Sequence, residues 1–556
     1  MQNIRKIILR NIDCRDKKSC QEKAIRKGKV MERRKTWIYA ALALLAFGYQ
    51  CIISRKVENM FINHHGGVFW CARIAAFACT FLIIYLCLCT GWALVRRDFG
   101  DLILQTVLFA LPYMLAVFVF FLMIRPDITT GDEGIILENA LQLRNYPEFH
   151  FLTSASYVIS LMLIPDLSAP VIVKIFCCGL LCGYSVTRAL TVFKSKYFAM
   201  LMYIPFFLFP TLAYCLYAHR IGFYFIWYGL FFGVLVFDWM EKNRSVSGCK
   251  MCLLALLAAC LAQWRPEGIP LVLFSVFMML ITYDFEKKRL IMLLLATIFF
   301  NVAVYIPQSM DTFSGREHYS QVRLHPLYSY KITNMLRCGL DREQNVDDLT
   351  AINKVISIDA IDKLNRDLGD ENYRDGYIRW KDGYIGVREP YSMDYYRRYA
   401  KGEIDSSYGG FGSEEYLAYA AACKNIFINN PVCFLKATWG SFHYTASKPG
   451  WSYLYEVFAG RLPHITYLVH NLYIVLIIVA AGIIVSIIRH NRLLLCVFGE
   501  LLIQAGIVFV LSPGGYFKYY FPVYFVAYYL SMIGLVHILK KVFSKHKNRE
   551  SLLVVF

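Results

Sequence analysis

Charged side chains are scarce in this chain of 556 residues. Only 18% of its residues are Asp, Glu, Lys or Arg, whereas 57% are hydrophobic. Soluble domains are usually no more than about half apolar, so this composition excludes an ordinary soluble protein. The apolar residues also fall into runs close to the roughly 20 residues that cross a bilayer. The sequence therefore predicts an integral membrane protein.

Acidic residues are outnumbered by basic ones, which gives a formal net charge of +19. Such a charge is found in nucleic-acid binders, but here the Lys and Arg residues cluster at the ends of the apolar runs and are nearly absent inside them. This is the distribution of the positive-inside rule, so we do not expect nucleic acid as a partner. We expect no cleavable signal peptide before the first apolar run. We therefore expect the basic residues 1–36 to stay in the cytoplasm beside anionic lipids.

The sequence also lacks a metal-binding pattern of cysteines. Most of the 18 cysteines lie within apolar runs, where a thiol behaves as a small hydrophobic group. The pair Cys249 and Cys252 has no second pair or histidine at metal-ligand spacing. We also find no internal repeat and no low-complexity tract. The cysteines therefore predict no metal site.

Twelve apolar runs predict an all-α polytopic membrane protein with about 12 transmembrane helices. The runs cover residues 37–53, 69–94, 101–124, 169–187, 197–217, 221–239, 250–263, 268–283, 290–308, 465–488, 493–511 and 519–539. With the N-terminus inside, the six basic loops that follow the even-numbered runs all lie in the cytoplasm. This topology requires the apolar stretch 151–164 to enter the membrane without crossing it.

These runs divide the chain into five predicted segments. Residues 309–464 are the one large hydrophilic region, and their number suits a folded soluble domain on the outer face. Both ends of the chain are expected in the cytoplasm. The segments are a basic tail (1–36), a membrane domain (37–308) with an outer loop at 125–150, the extracytoplasmic domain (309–464), C-terminal membrane helices (465–541) and a tail (542–556).

The outer loop after the third apolar run carries the first candidate site. Ile136 and Ala140 recur at helical spacing, which predicts an amphipathic helix on the membrane surface. Asp132 and Glu133 stand at its start. They are either ordinary first-turn acids, with Thr130 and Glu133 forming a capping box, or catalytic groups. A carboxylate just above the bilayer can gain basicity by desolvation and act as a general base.

Basic and aromatic residues in three other outer loops complete the candidate site. His219 and Arg220 lie in one tight turn, and Arg265 lies in another. A guanidinium is suited to binding phosphate, although an interfacial position or a local ion pair would also explain these residues. Tyr516 and Lys518 lie in the last outer loop. They would meet a lipid phosphate or a sugar, or serve as interface anchors.

The order of these features resembles the membrane glycosyltransferases of the GT-C class, which take a sugar from a polyprenyl-phosphate donor. This class includes the protein O-mannosyltransferases and the bacterial aminoarabinose transferases. The matching residues are Gly-Asp-Glu at 131–133, Asn-Tyr-Pro at 145–147 and Lys-Tyr-Tyr-Phe-Pro at 518–522. The chain departs from the family in having two apolar runs, 37–53 and 69–94, before the loop.

The resemblance implies that the sugar is transferred by a single displacement that inverts the anomeric carbon, on the outer face of a cell membrane. It also implies a bacterial protein. Asp132 would take the proton of an acceptor hydroxyl, which attacks the anomeric carbon as the lipid phosphate leaves. Arg220, Arg265 and Lys518 would neutralise the phosphate. Glu133 would orient the acceptor or help to hold a divalent ion. The partners implied are the polyprenyl-phosphate-linked sugar, membrane lipid and a cell-surface glycan, lipid or protein as acceptor.

Two other functions stay open on the sequence alone. A polysaccharide polymerase or ligase of the O-antigen type would rely on arginines of the large outer region, such as Arg316 and Arg323. A transporter would need ionisable residues near the middle of the membrane and broken, repeated helices. The charged residues within the runs, Arg73, Lys174 and Glu500, lie within about two helical turns of a predicted end.

Overall fold

All regular structure in the described part of the chain is helical, as predicted. The computed structural model describes residues 41–62, 66–124, 131–145, 149–217, 219–309, 319–368, 386–400, 403–404, 410–447, 463–512 and 517–553. Within these residues the only β-type pairing is an isolated bridge between Ile356 and Val387.

Thirteen described helices cover most of the predicted membrane domain (37–308). They are α1 (41–60), α2 (Gly67–Val95), α3 (Leu102–Ile124), α4 (Gly131–Leu141), α5 (Phe151–Leu163), α6 (Ala169–Phe193), α7 (Lys196–Met200), α8 (Ile204–Phe207), α9 (Phe209–Leu216), α10 (Ile221–Met240), α11 (Gly248–Trp264), α12 (Leu271–Thr282) and α13 (Lys287–Ser309).

The remaining helices cover the hydrophilic region and the C-terminal apolar runs. They are α14 (Tyr319–Arg337), α15 (Val346–Val355), α16 (Ile358–Leu368), α17 (Met393–Ala400), α18 (Glu414–Asn429), α19 (Pro431–Ser447), α20 (Pro463–His470), α21 (Leu472–Ile488), α22 (Arg492–Leu511) and α23 (Phe517–Leu553).

Seven of the described helices are long and apolar enough to cross a membrane, or nine if each of two bent helix pairs is one span. These helices are compatible with a multi-pass membrane protein. Two of the predicted spans, at α11 and α12, are shorter helices, and the run 37–53 lies partly outside the described residues. The number of twelve spans and the outer position of 309–464 stay predictions.

Two predicted spans are bent. The run 197–217 breaks by 61° between Lys196–Phe207 and Phe209–Leu216, and the run 465–488 breaks by 48° after His470. In the first of these, Pro210 lies in the first turn of α9. Proline fits there because the first N–H groups of a helix have no partner within the helix.

Helix α5 is short for a membrane-spanning helix, as is α12. Its 13 residues extend about 20 Å at 1.5 Å per residue, against a hydrocarbon core of about 30 Å. This length supports the prediction that the apolar stretch 151–164 does not cross the membrane.

The chain divides into two compact units, one of residues 1–104 with 159–166 and one of residues 105–158 with 167–556. In the first unit, the Gln50 amide donates to the Thr80 hydroxyl at 2.9 Å and joins α1 to α2. In the second unit, α10 lies at the centre, and 83% of its most apolar 18-residue stretch is buried. Its Phe225 contacts Phe521 and Phe525 of α23, each with ring centroids 4.9 Å apart.

Asp238 joins four helical segments at the C-terminal end of α10. Its carboxylate is fully buried and accepts hydrogen bonds from Arg188 of α6, at 2.8 Å, and from Lys250 of α11. It also accepts one from the Tyr283 hydroxyl, which follows α12. Arg188 bonds Glu241 as well, at 2.9 Å. The predicted cytoplasmic ends of these helices are therefore tied together by a buried ionic network.

The hydrophilic region has a hydrophobic core of its own, built from α14, α15, α16, α18 and the loops around them. Helix α19 links this core to the membrane helices. Its Phe442 packs against Tyr473, Phe509 and Tyr520, at centroid distances between 5.4 and 5.9 Å. The region is therefore a folded part of the second unit.

Candidate functional site

Helix α4 begins at Gly131, so Asp132 and Glu133 lie in its first turn, as the sequence predicts. Its apolar face is fully buried at Ile136 and Ala140. The side chain of Asp132 lies outside the described part of the structure, as do Thr130 and Tyr516. The choice between capping and catalysis at Asp132 therefore stays a prediction.

Glu133 of α4 lies close to His219 and Arg220, which belong to the turn before α10 and are far from it in sequence. Atom Oε1 of Glu133 lies 3.7 Å from Nδ1 of His219 and 3.8 Å from Nη1 of Arg220. This oxygen is buried and accepts no hydrogen bond from a described residue. The guanidinium of Arg220 lies over the ring of Phe149, 3.9 Å from its centroid, which is a cation–π contact. The carboxylate thus faces a cation without being tightly paired.

His219 is neutral in this arrangement. Burial lowers the pKa of its imidazole well below the ordinary 6.5, and nearby cations add to this effect. The N–H of Ile221 donates to Nδ1 at 3.3 Å, so Nδ1 is an acceptor and carries no proton. The contact between His219 and Glu133 is therefore neither an ion pair nor a hydrogen bond.

Lys174 fixes the turn that carries His219. Its ammonium group is buried and donates to the carbonyl oxygens of Tyr214 at 3.3 Å, of His219 at 3.4 Å and of Tyr217. A Cβ at Gly222 would lie 2.7 Å from the backbone oxygen of Tyr214 and 2.6 Å from Cδ of Lys174, so this close approach favours glycine. The sequence interpretation had assigned no role to Lys174, although a single lysine in an apolar helix was a usable signal.

Arg265 and Lys518 meet at the ring of Tyr519. The guanidinium of Arg265 lies 5.3 Å from this ring centroid, and Nζ of Lys518 lies 5.5 Å from it. Arg265 also forms an ion pair with Glu267 in the same tight turn. The local ion pair that the sequence left open for Arg265 is therefore present.

These residues form one electrostatic group. Four cations from separate elements act on the imidazole of His219, namely Lys518, Arg220, Lys174 and Arg265. We call the group the Glu133 cluster; its described members are Glu133, Lys174, His219, Arg220, Arg265, Glu267 and Lys518. Its described side chains thus carry four positive and two negative charges, an excess suited to an anion.

The structure gives no separate support for a divalent ion. Among the described residues no three or more His, Cys, Asp or Glu side chains form a group that could hold a metal. A polymerase or ligase was expected to use Arg316 and Arg323. Arg316 and the side chain of Arg323 lie outside the described part of the structure, so this alternative stays a prediction.

A second polar group, which the sequence interpretation missed, lies between membrane helices. Glu500 of α22 is fully buried and bonds the hydroxyl of Tyr228 in α10. A single acid in an apolar run could have indicated this group, but Glu500 lies close to a predicted span end and was therefore given no role.

No protein-family model matches the chain, and neither the curated proteins nor the solved structures include a match.

Proposed function

We propose that the chain is a GT-C-like glycosyltransferase of the cell membrane. It would transfer a sugar from a polyprenyl-phosphate donor to an acceptor hydroxyl on the extracytoplasmic face. The observation that carries the proposal is the Glu133 carboxylate, which lies beside an excess of cations and has one buried oxygen that no described residue hydrogen-bonds. A transferase of this kind needs a base and an anion site in one place.

In the proposed reaction Asp132 removes the proton of the acceptor hydroxyl. The hydroxyl oxygen forms a bond to the anomeric carbon, and the bond from that carbon to the phosphate oxygen breaks, with its electron pair leaving on the phosphate. This single displacement inverts the anomeric centre. Glu133, the next residue of α4, orients the acceptor or takes the proton itself.

The cations of the Glu133 cluster would bind the leaving phosphate. Arg220 lies over the ring of Phe149, and Arg265 lies beside Tyr519, so both guanidinium groups are positioned before a ligand arrives. A positioned donor stabilises developing charge without reorganisation at the moment of reaction. Lys518, near the same tyrosine, adds a third cation.

The proposed orientation places both ends of the chain in the cytoplasm and the Glu133 cluster outside. It is supported by the basic loops between apolar runs. A bacterial membrane is the expected location, because the resemblance includes bacterial aminoarabinose transferases.

A transporter is the second candidate, for a specific reason. Glu500 is a buried acid within α22, and two spans are bent by 61° and 48°. Acids inside the membrane and broken helices are both features of secondary transporters. The cations at the Glu133 cluster favour the transferase, since they suit a phosphate-bearing donor.

The decisive experiment is donor consumption by the purified protein in lipid nanodiscs. A panel of polyprenyl-phosphate sugars is offered with candidate acceptors, and free polyprenyl phosphate is measured by mass spectrometry. We expect release from one donor, and a loss of release in Arg265→Gln. The matched control is Arg342→Gln, which removes a half-exposed arginine paired with Asp362. Absence of turnover with every donor, together with solute uptake into proteoliposomes, would favour the transporter instead.

A further inference from the structure

Glu500 and Tyr228 form a polar contact between two membrane helices. Both side chains are fully buried, and the Tyr228 hydroxyl oxygen lies 2.6 Å from Oε2 of Glu500. Gln504, one helical turn further along α22, is also fully buried, and its Oε1 lies close to the same hydroxyl. An ionisable group at such a position is a functional candidate by default.

If Glu500 is ionised, this contact has too few protons for each close oxygen pair to form a hydrogen bond. Tyr228 has one hydroxyl proton, yet its oxygen faces two acceptors, Oε2 of Glu500 and Oε1 of Gln504. Two arrangements supply the missing proton. Either Glu500 is a carboxylic acid that donates to Tyr228, or the Gln504 amide is turned so that its nitrogen donates.

Burial decides between the two arrangements. Turning the Gln504 amide would leave an ionised Glu500 with one hydrogen bond, because its Oε1 is buried without a partner among the described residues. No described cation forms an ion pair with this carboxylate. An unpaired buried carboxylate is strongly unfavourable, and membrane helices offer no water to reduce that cost. The protonated acid satisfies Tyr228 and carries no charge.

Glu500 is linked to the Glu133 cluster through aromatic side chains of α10. The ring of Tyr224 stacks on that of Tyr228, with centroids 5.6 Å apart and an interplanar angle of 20°. The guanidinium of Arg265 lies 5.8 Å from the Tyr224 ring centroid.

We infer that Glu500 is a proton-binding site within the membrane helices, linked through Tyr228 and Tyr224 to the Arg265 turn. Its ligand is a proton, held by the carboxyl group and hydrogen-bonded to Tyr228. The inference goes beyond sugar transfer, because the site is built in the same way whether the Glu133 cluster serves a transferase or a transporter.

Infrared difference spectroscopy of the purified protein at neutral pH tests the inference. Subtracting the spectrum of Glu500→Gln from that of the unchanged protein should leave the carbonyl stretch of a protonated carboxyl group. The control, Asp284→Asn, removes an exposed acid and should leave carboxylate bands. Carboxylate bands in the Glu500 difference would overturn the protonated acid.

Two further variants keep the test informative. Glu500→Gln should retain the thermal midpoint of the unchanged protein, since an amide also donates to Tyr228, whereas Glu500→Ala should lower it. Arg265→Gln should shift the carboxyl band if the link to the outer turn exists, and Arg342→Gln should not. A band that stays in place in both arginine variants would refute the link. No sugar donor is needed, so these results are independent of the proposed transferase activity.

Discussion

The carboxylate of Glu133 lies 3.8 Å from the guanidinium of Arg220, which brings the first turn of α4 to the turn that precedes α10. Each residue alone has an ordinary explanation, one as a helix-capping acid and the other as an interface anchor. Their proximity is specific to the fold. It places an acid and a cation where a phosphate-bearing donor and a hydroxyl acceptor would meet.

Arg220→Lys should lower kcat/KM for the donor by roughly 10–100-fold, the loss expected for a charge-assisted hydrogen bond. Lysine keeps the charge but has no planar fork, neither for a phosphate nor for the contact with the Phe149 ring. Steady-state kinetics of donor consumption provide the measurement, with Arg342→Lys as the matched control. Equal kcat/KM in Arg220→Lys and the unchanged protein would make Arg220 an interface anchor.

Asp238→Asn should destabilise the membrane helices. The change removes the charged partner of Lys250 and one of the two charged partners of Arg188, which keeps Glu241, and breaking such a buried network costs about 3–5 kcal/mol. A drop of several degrees in the thermal midpoint in detergent is expected, whereas the exposed Asp284→Asn should cause little change. A midpoint unaltered by Asp238→Asn would show that the network contributes little to stability.

His325 should make the hydrophilic region sensitive to acid. It is fully buried among the rings of Phe411, Tyr416 and Tyr419, and neither ring nitrogen has a hydrogen-bond partner among the described residues. Burial lowers its pKa from 6.5 to about 3. As the pH falls, His325 is protonated in the unfolded chain at a higher pH than in the folded protein. The free energy of unfolding is therefore unaffected by His325 above about pH 6.5 and falls below it by up to about 1.4 kcal/mol per pH unit.

His325→Phe should therefore flatten the decrease in thermal midpoint between pH 6.5 and 4.5. Lys331, in the same helix, does not obscure this window. Burial lowers its pKa to about 7, so its contribution changes mainly above that pH. The same slope in the variant and the unchanged protein would exclude His325 as the source.

Cysteine labelling tests the orientation. In a background without native cysteines, Thr130→Cys, Thr350→Cys and a cysteine near 219 should react with a membrane-impermeant maleimide in intact cells, and His490→Cys should not. Thr350 and His490 are exposed, so burial does not limit their reaction. Labelling at 490 with protection at 130 would reverse the topology and place the Glu133 cluster inside.

Hydropathy and charge were enough to predict the helical class, the start of α4 and the tight turns at Arg220 and Arg265. These features depend on neighbours in sequence, which a pattern records. The bends at 61° and 48° were not predicted, because a bent pair of helices has the same average hydropathy as a straight span.

Lys174 and Glu500 were misjudged for a related reason. The role of each residue was judged from its distance to a predicted span end, whereas that role depends on the residues that it contacts in the fold. Lys174 bonds the carbonyl groups of the turn before α10, and Glu500 bonds Tyr228. Contacts between distant parts of the chain leave no trace in a single sequence.

The most direct test of the proposed activity is the rate of sugar transfer in Asp132→Asn, with Glu133→Gln beside it, using an established donor and acceptor. Asn and Gln are nearly isosteric with the acids and can still accept hydrogen bonds, but neither takes up a proton at neutral pH. We predict a fall of about 10²–10⁴-fold in Asp132→Asn, with donor binding and thermal midpoint retained. Normal transfer in both variants would contradict a carboxylate base at the start of α4.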